Sequence, residues 1–323
     1  MKIKWIKGTD NSIHTITDYV SSVSWAGSAA QASRTLDISV LNSPNDKNIP
    51  DLNIKLGDRI KLYSDDDRLL INVMIYDRER SSEAGTVTYN GMDDLNHLLR
   101  SNGTYNFKNI TPEEITVKIC NELQIKTGSI AETKVNIKSL LVDGVAYYNI
   151  IMRAYTKAHY VDGKNYMPLM YNDRLYIIEK GQIVDDFVLD DGINILQSSY
   201  KESLSSMVNR VRIYNDSGIQ IGEVKNQDWI NSYGIFQDVY TKEEGVNATE
   251  AAKKILIGLD KSASIEALGN IYCISGYGVR IKDAATGLTG IFWIESDSHT
   301  WENGNYTMSL DLAFKNIMDI QEE

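Results

Sequence analysis

The chain has 323 residues, a hydrophobic content of 42%, a charged content of 24% and a formal net charge of -11 at pH 7. That length supports two or three domains with a sizeable core. The acidic balance argues against nucleic-acid binding by phosphate neutralisation, and no apolar run is long enough to cross a bilayer as a helix.

Residues 1 to about 100 read as strands. The opening MKIKWIKGTDNS has no apolar core or small-residue cleavage site, so it reads as the start of a strand rather than as a signal peptide. RTLDISV alternates, with Leu36, Ile38 and Val40 on one face. GDRIKLYS alternates around Ile60 and Leu62, and GTVTYNG around Val87 and Tyr89. LLINVMIYD is apolar on both faces, the pattern of a strand buried on both sides. Turn clusters NSPNDKNIPD and SDDDR separate these strands. Short strands with turn signals between them predict a small barrel or sandwich.

Residues 101 to about 190 change character. TPEEITVKICNEL is a helix with Thr111 at its N-cap, Pro112 in first position and Glu114 completing a capping box. GVAYYNIIMRAYTKAHYVDG is a second helix, with Tyr147, Ile150, Ile151, Ala154 and Ala158 at the helical period. NYMPLMYNDRLYIIEKG reads as a hairpin turning at Asn172 and Asp173. From about 190 strands return with MVNRVRIYN, GYGVRIKD, GIFWIES and NYTMSLDLAF. The helix NATEAAKKILIGL, with Asn247 at its N-cap, interrupts them. Cys120 and Cys273 stand alone in apolar segments, which gives neither a disulfide framework nor a cysteine-rich zinc site and suits a reducing compartment.

The two β regions can be laid on each other. The step from Ile60 to Ile75 equals that from Val279 to Ile294. Gly85, Val87 and Tyr89 then match Gly304, Tyr306 and Met308 without a gap. The spacing predicts one module present twice.

Candidate chemistry gathers in WIESDSHTWENGNYTMSLDL, which holds Glu295, Asp297, His299 and Asp311. Asn303-Gly304 is a strong hairpin signal, because a type I′ turn needs positive φ at both positions. A two-residue loop pairs Trp301 with Tyr306, His299 with Met308, Asp297 with Leu310 and Glu295 with Leu312. Asp297 and His299 then fall on the apolar face, where a bulge near SDS re-aims them or they bond each other. The other histidines, His14, His97 and His159, lie in a strand, a short helix and a helix, and no zinc-binding spacing occurs. Asp65 to Asp67 lack the glycine and later glutamate of a calcium loop and read as a hairpin tip. The acids of DDFVLDDG, Asp185 to Gly192, read as charged strand ends rather than a glycosidase pair. Gly276 to Gly278 is too short to cradle a phosphate. No catalytic, cofactor-binding or metal-ligating residue is assigned.

Three blocks carry a resemblance. LGDRIKLYSDDDRLLINVMIYDRE, GTVTYNGMDDLNHLLRSNGTYNFKNITPEEITVKICNELQIKTGSI and GIFWIESDSHTWENGNYTMSLDLAF, in that order, resemble the XkdQ/YqbQ family. These are tail proteins of PBSX-like prophages and of phage-tail-like bacteriocins. The family is similar to the baseplate hub proteins of contractile tails and to the first part of type VI secretion spike proteins. The resemblance implies a mainly β fold with an α+β insertion, in which two related small β-barrels flank a mixed α/β domain. The expected division is 1–100, 101–190 and 191–323, with 190–235 a candidate to complete the first barrel. It implies a structural hub without enzymatic activity, a homotrimer with pseudo-sixfold symmetry. That ring would meet the tail tube protein, the central spike and other baseplate proteins, in a particle assembled in the host cytoplasm. Two readings compete. One is a tail-associated cell-wall hydrolase using Glu295, Asp297 and His299. The other is a carbohydrate-binding β module with Trp229 and Tyr233 as its platform.

Overall fold

The computed structural model describes residues 1–29, 33–43, 49–80 and 85–322. Part of the turn NSPNDKNIPD (44–48) and the loop 81–84 lie outside the described residues. Strands β1 (Lys2–Ile6), β2 (Ile13–Thr15), β3 (Val20–Ser28), β4 (Thr35–Leu41), β5 (Arg59–Tyr63), β6 (Leu69–Arg80) and β7 (Thr86–Met92) come first, followed by helix α1 (Leu95–Arg100). Then come β8 (Asn102–Ile110), α2 (Pro112–Glu122), β9 (Thr127–Ile130), β10 (Ile137–Ala146), α3 (Tyr147–Asp162), β11 (Tyr166–Tyr171) and β12 (Arg174–Glu179). Strands β13 (Ile183–Asp190) and β14 (Ile195–Ser203) lead into β15 (Arg210–Tyr214), β16 (Gln220–Lys225), α4 (Gln227–Tyr233), β17 (Gln237–Thr241) and α5 (Ala248–Ile255). The chain ends with β18 (Asp260–Leu268), β19 (Gly278–Lys282), β20 (Thr289–Glu302) and β21 (Asn305–Ala313).

Among the described residues thirteen strands share one sheet, and its order repeats. One run is β3-β4-β7-β6-β5-β1, with β2 beyond it. The other is β14-β18-β21-β20-β19-β13. In both, three consecutive strands form an antiparallel meander, β5-β6-β7 and β19-β20-β21. The register repeats as well. Arg59↔Met74, Ile60↔Val73 and Leu62↔Ile71 correspond to Gly278↔Trp293, Val279↔Phe292 and Ile281↔Gly290 at a constant displacement. Even the irregularity repeats, because pairing skips Tyr76 between Ile75 and Asp77 and skips Glu295 between Ile294 and Ser296. The gapless spacing fails only at the third strand. Ile75 pairs with Gly91 and Ile294 with Leu312, so β21 sits two residues further along than its spacing to β7 suggests. An even shift keeps the same side chains facing the core.

Among the described residues no pairing closes either run into a barrel. The long strand β20 explains the difference. Its first part pairs with β19 of its own run, and Ser296–Glu302 pairs antiparallel with β3 of the other, so the two runs become one open sheet. LLINVMIYD is also less buried than its composition implies. Ile71, Val73 and Ile75 are buried, while the opposite face is partly exposed.

The core of the first run gathers Ile3, Leu36, Ile38, Ile60, Leu62 and Val73 among others. The segment after α1 has its own core, where α2 and α3 pack with β8, β10 and the three-stranded sheet β11-β12-β9. The Thr111–Glu114 capping box is formed as expected, and Asn172 and Asp173 both take positive φ at the β11–β12 turn. The strands β8 and β10, distant in sequence, were not evident from pattern. The C-terminal tail returns to this core, burying Met318 and placing the Tyr148 hydroxyl 2.9 Å from Asp319 as donor.

Residues 199–263 make a compact unit of their own, and the remainder of the chain makes another. The smaller unit is the sheet β16-β15-β17 with α5 laid over Val211 and Ile213 of its central strand. Asn247 caps α5 by accepting from the Thr249 and Glu250 N–H groups.

Candidate functional site

The hairpin at Asn303-Gly304 forms as its sequence requires, with φ of 51° and 77°. It pairs Trp301 with Tyr306, His299 with Met308 and Asp297 with Leu310. The bulge falls at Glu295, so Leu312 faces Ile294 instead. Beyond the bulge, Asp297 and His299 point into the core, with 3% and 0% of their surface exposed.

A buried charge needs a partner, and Asp297 has Arg34, which is equally buried. Arg34 Nη1 donates to Asp297 Oδ1 at 2.9 Å, and Nη2 donates to Oδ2 in a two-point grip. The Ser275 N–H adds a bond of 2.6 Å to Oδ1. His299 Nε2 lies 3.4 Å from Oδ2 and 3.1 Å from the Cys273 carbonyl, while the Tyr306 hydroxyl is 2.9 Å from Nδ1. A carbonyl only accepts, so the partners assign the hydrogen to Nε2, and Tyr306 donates to Nδ1. Burial alone would raise the Asp297 carboxyl. The Arg34 charge and the bonds from His299 and Arg34 outweigh it and hold the group well below the usual carboxylate range. Rings complete the packing, with the Arg34 guanidinium 4.4 Å from the Trp25 ring centre and Trp25 stacked on His299 at 4.8 Å.

Gly27 explains how the grip fits. It lies opposite Asp297 in the β3–β20 pairing, and a Cβ there would overlap the Arg34 guanidinium. Asp93 supports the same arginine from its other side. It accepts from the Ser33 hydroxyl at 2.9 Å and from the Arg34 N–H at 3.2 Å.

The four acidic or imidazole groups singled out by sequence therefore do not form one constellation. Glu295 is the bulge residue and is half-buried. Asp311 is exposed and accepts from the Ser296 hydroxyl at 2.5 Å. A pocket of about 260 Å³ is lined by Gly27, Ser33, Ser296, Asp297, Ser298 and Asp311. Both Asp297 oxygens are already taken by Arg34, Ser275 and His299, so Asp297 is not free to act as a general base there. The Cys273 thiol is pushed up to about 12, by burial first and then by the Asp297 charge, and has no thiolate character.

The remaining candidates are dispersed. Asp65 holds the N-terminal amine, Asp67 holds Lys2, and Asp66 pairs with Arg68 at 2.8 Å, so the three carboxylates point to three cations. Among the described residues no cluster of histidine, cysteine, aspartate and glutamate has a metal-binding arrangement. Asp190 pairs with Lys282 at 3.3 Å and Asp191 accepts from the Ala284 N–H. The amides of Gly276 and Gly278 are spent on Ile294 and Gln182 carbonyls. Trp229 packs against Gly258 and is only partly exposed, whereas Tyr233 is exposed.

Comparison with known proteins fits this geometry. The fold is that of phage tail and baseplate hub proteins. A 43 kDa tail protein of prophage MuSo2 from Shewanella oneidensis matches with a TM-score of 0.73 at 16% identity, covering 99% of this chain and 100% of that one. A tail protein from Neisseria meningitidis MC58 gives 0.64 at 13%, covering 96% and 95%. The E. coli c3393 protein, a type VI secretion component similar to T4 tail proteins gp27 and gp5, gives 0.56 at 10%, covering 100% and 80%. The chain belongs to the YqbQ-like family, whose family model spans residues 23–313. In Bacillus subtilis strain 168 it is 25% identical to the phage-like element PBSX protein XkdQ, over 92% of this chain and 93% of that protein. It is also 25% identical to YqbQ, over 91% and 92%. It carries a phage-tail-type fold. Among the described residues no helix is long and apolar enough to cross a membrane.

Proposed function

We propose that this chain is the hub of a contractile phage tail or phage-tail-like bacteriocin, a trimeric ring joining the hexameric tail tube to the trimeric spike. The repeated strand order carries this reading. A ring of three chains can show six similar surfaces only if each chain holds the surface twice. Here two strand runs share strand order, the register of the first hairpin and the bulge position, and differ at the outer strand, which pairs antiparallel in β1–β5 and parallel in β13–β19. The domain plan that goes with this places one β domain at 1–100, a mixed domain at 101–190 and a second β domain in 191–323, with assembly in the host cytoplasm and partners on both faces. Sedimentation velocity and class averages of the concentrated chain, alone and with its tube and spike proteins, test the ring. Three chains with a sixfold-like outline are expected. A ring of six chains, or a monomer that no tail protein converts, sinks it.

The reading assigns no catalytic step. The histidine and aspartate of the hairpin act as a buried strut, bonded to each other and to Arg34. Purified cell wall should release no fragments with the wild type or with His299→Ala. Release that His299→Ala abolishes would restore the hydrolase.

A further inference from the structure

The joint between the two runs exists once within the chain, and each run carries an unused half of the same joint. We propose that the edge of β6 at Asp77–Arg80 receives β14 of a second copy of this chain, side by side and antiparallel. This deepens the ring reading above and rests on it.

The within-chain joint is the template. Ser296–Glu302 of β20 has β21 on one side and β3 on the other, paired from Ser296↔Ser28 to Glu302↔Ser22. The counterpart of β20 is β6, and the shared bulge sets Tyr76 on Glu295, hence Asp77–Arg80 on Ser296–His299. On the side where β20 has β3, no strand pairs with Asp77–Arg80 among the described residues, and all four residues are exposed. Their counterparts Ser296–His299 are buried or half-buried. The counterpart of β3, by strand order, is β14, which ends the sheet with only β18 beside it. The chain thus presents the receiving half of a joint at one place and the inserting half at another. Such head-to-tail surfaces close into a ring when the rotation permits, and left unpaired they are exposed sheet edges.

Charge selects the register. The Asn42 N–H donates to the Gly85 carbonyl at 2.9 Å, and the Gly269 N–H donates to the Tyr306 carbonyl at 3.0 Å. These equivalent bonds lay β4 on β18, matching buried Leu36, Ile38 and Val40 to buried Ala263, Ile265 and Ala267. Carrying β3 onto β14 in the same frame leaves two registers, one residue apart. One opposes Arg78 with Glu202 and Glu79 with Lys201. The other opposes Arg78 with Lys201 and Asp77 with Glu202. Like charges directly opposite destabilise a strand pair, and unlike charges favour it, so the first register is the one proposed. Lys201 and Glu202 are exposed, and among the described residues Glu202 is held by a surface bond from Lys261 at 3.2 Å and by the Tyr200 hydroxyl.

The test uses the full-length chain carrying Glu79→Cys with Lys201→Cys, oxidised mildly at high concentration. The native Cys120 and Cys273 are buried and stay silent. Covalent dimers and trimers on a denaturing gel are expected, and a pair in the rejected register, Arg78→Cys with Lys201→Cys, should give none. Arg78→Glu should weaken each joint about five-fold, and adding Glu202→Arg should restore it. If light scattering shows a trimer but the first pair does not cross-link, or both pairs do, this joint is wrong and the ring stands. If every variant and the wild type stay monomeric even with the tube and spike proteins present, both fall.

Discussion

Arg34→Met isolates the buried strut. Methionine keeps much of the side-chain volume and removes the cation that grips Asp297 at both oxygens. Asp297 keeps the Ser275 N–H and His299 as donors but loses the guanidinium, with 3% of its own surface exposed. Breaking a buried pair by removing one partner costs about 3–5 kcal/mol. The loss depends on pH, and its sign is fixed. In the wild type the Asp297 carboxyl is depressed, so its stabilisation is full above the unfolded value near 4 and fades only as pH falls through the lower folded value. Without Arg34 only desolvation and two donors remain, the carboxyl rises, and the folded variant keeps its proton past pH 4. The deficit should therefore grow from pH 4 to pH 7. Urea titrations at both pH values measure it. Arg34→Met with Asp297→Leu removes both charges and should recover most of the loss. A single-variant cost below about 1 kcal/mol at pH 7, or a double variant no better than the single, would refute the reasoning.

Three further changes probe the same framework. Gly27→Ala puts a methyl into the Arg34 guanidinium and should cost about 1–3 kcal/mol in urea unfolding, with Arg34→Met largely removing that penalty. Burial pushes the Asp93 carboxyl up to about 7, against bonds from Ser33, Arg34 and Leu95. A raised carboxyl binds its proton in the folded state first, so it makes stability fall by at most about 1.4 kcal/mol per pH unit between pH 4 and 7. Asp93→Asn should flatten that slope, and an unchanged pH profile would show the group ionised throughout. Thr111→Ala removes the hydroxyl that accepts from the Glu114 N–H and should cost about 1 kcal/mol, read as faster amide exchange in the first turn of α2.

Local signals in the sequence translated well wherever one strand or turn decides the outcome. Alternation in RTLDISV and GDRIKLYS buried Leu36, Ile38, Val40, Ile60 and Leu62, and the capping box and the Asn-Gly turn formed. What depends on distant pairing was not legible. Strand β8 pairs with β10 across α2 and β9, and its solvent-facing alternation, NGTYNFKNI, looks like loop. The short helix α4 has no buried residue to mark it. Arg34 could have been sought, because a carboxylate on an apolar face demands a cation. Its distance in sequence from Asp297 left nothing to single it out from the other basic residues. Barrel closure failed as an expectation because alternation reports which face is buried and is silent on which edge meets which.

The paired copies also show why a duplicated module need not keep duplicate chemistry. At the joint inside the chain, β20 presents Asp297 and His299 to the core, and Arg34 neutralises the acid there. The matching positions on β6 are Arg78 and Arg80, both exposed. An edge that is buried as the chain folds can carry a desolvated ion pair, because its partner is covalently supplied at high effective concentration. An edge that waits for a second molecule must stay soluble meanwhile, and alternating charge guards it against pairing with the wrong strand. The contrast between Asp297 beside His299 and Arg78 beside Glu79 is what separates a permanent joint from one that forms at assembly. Replacing Asp77 and Glu79 by serines, the residues at the matching positions Ser296 and Ser298, should therefore leave the folded chain as stable to urea as the wild type. It should also raise its tendency to form irregular aggregates, measured by turbidity. Unchanged solubility would mean the charges on β6 have no guarding role.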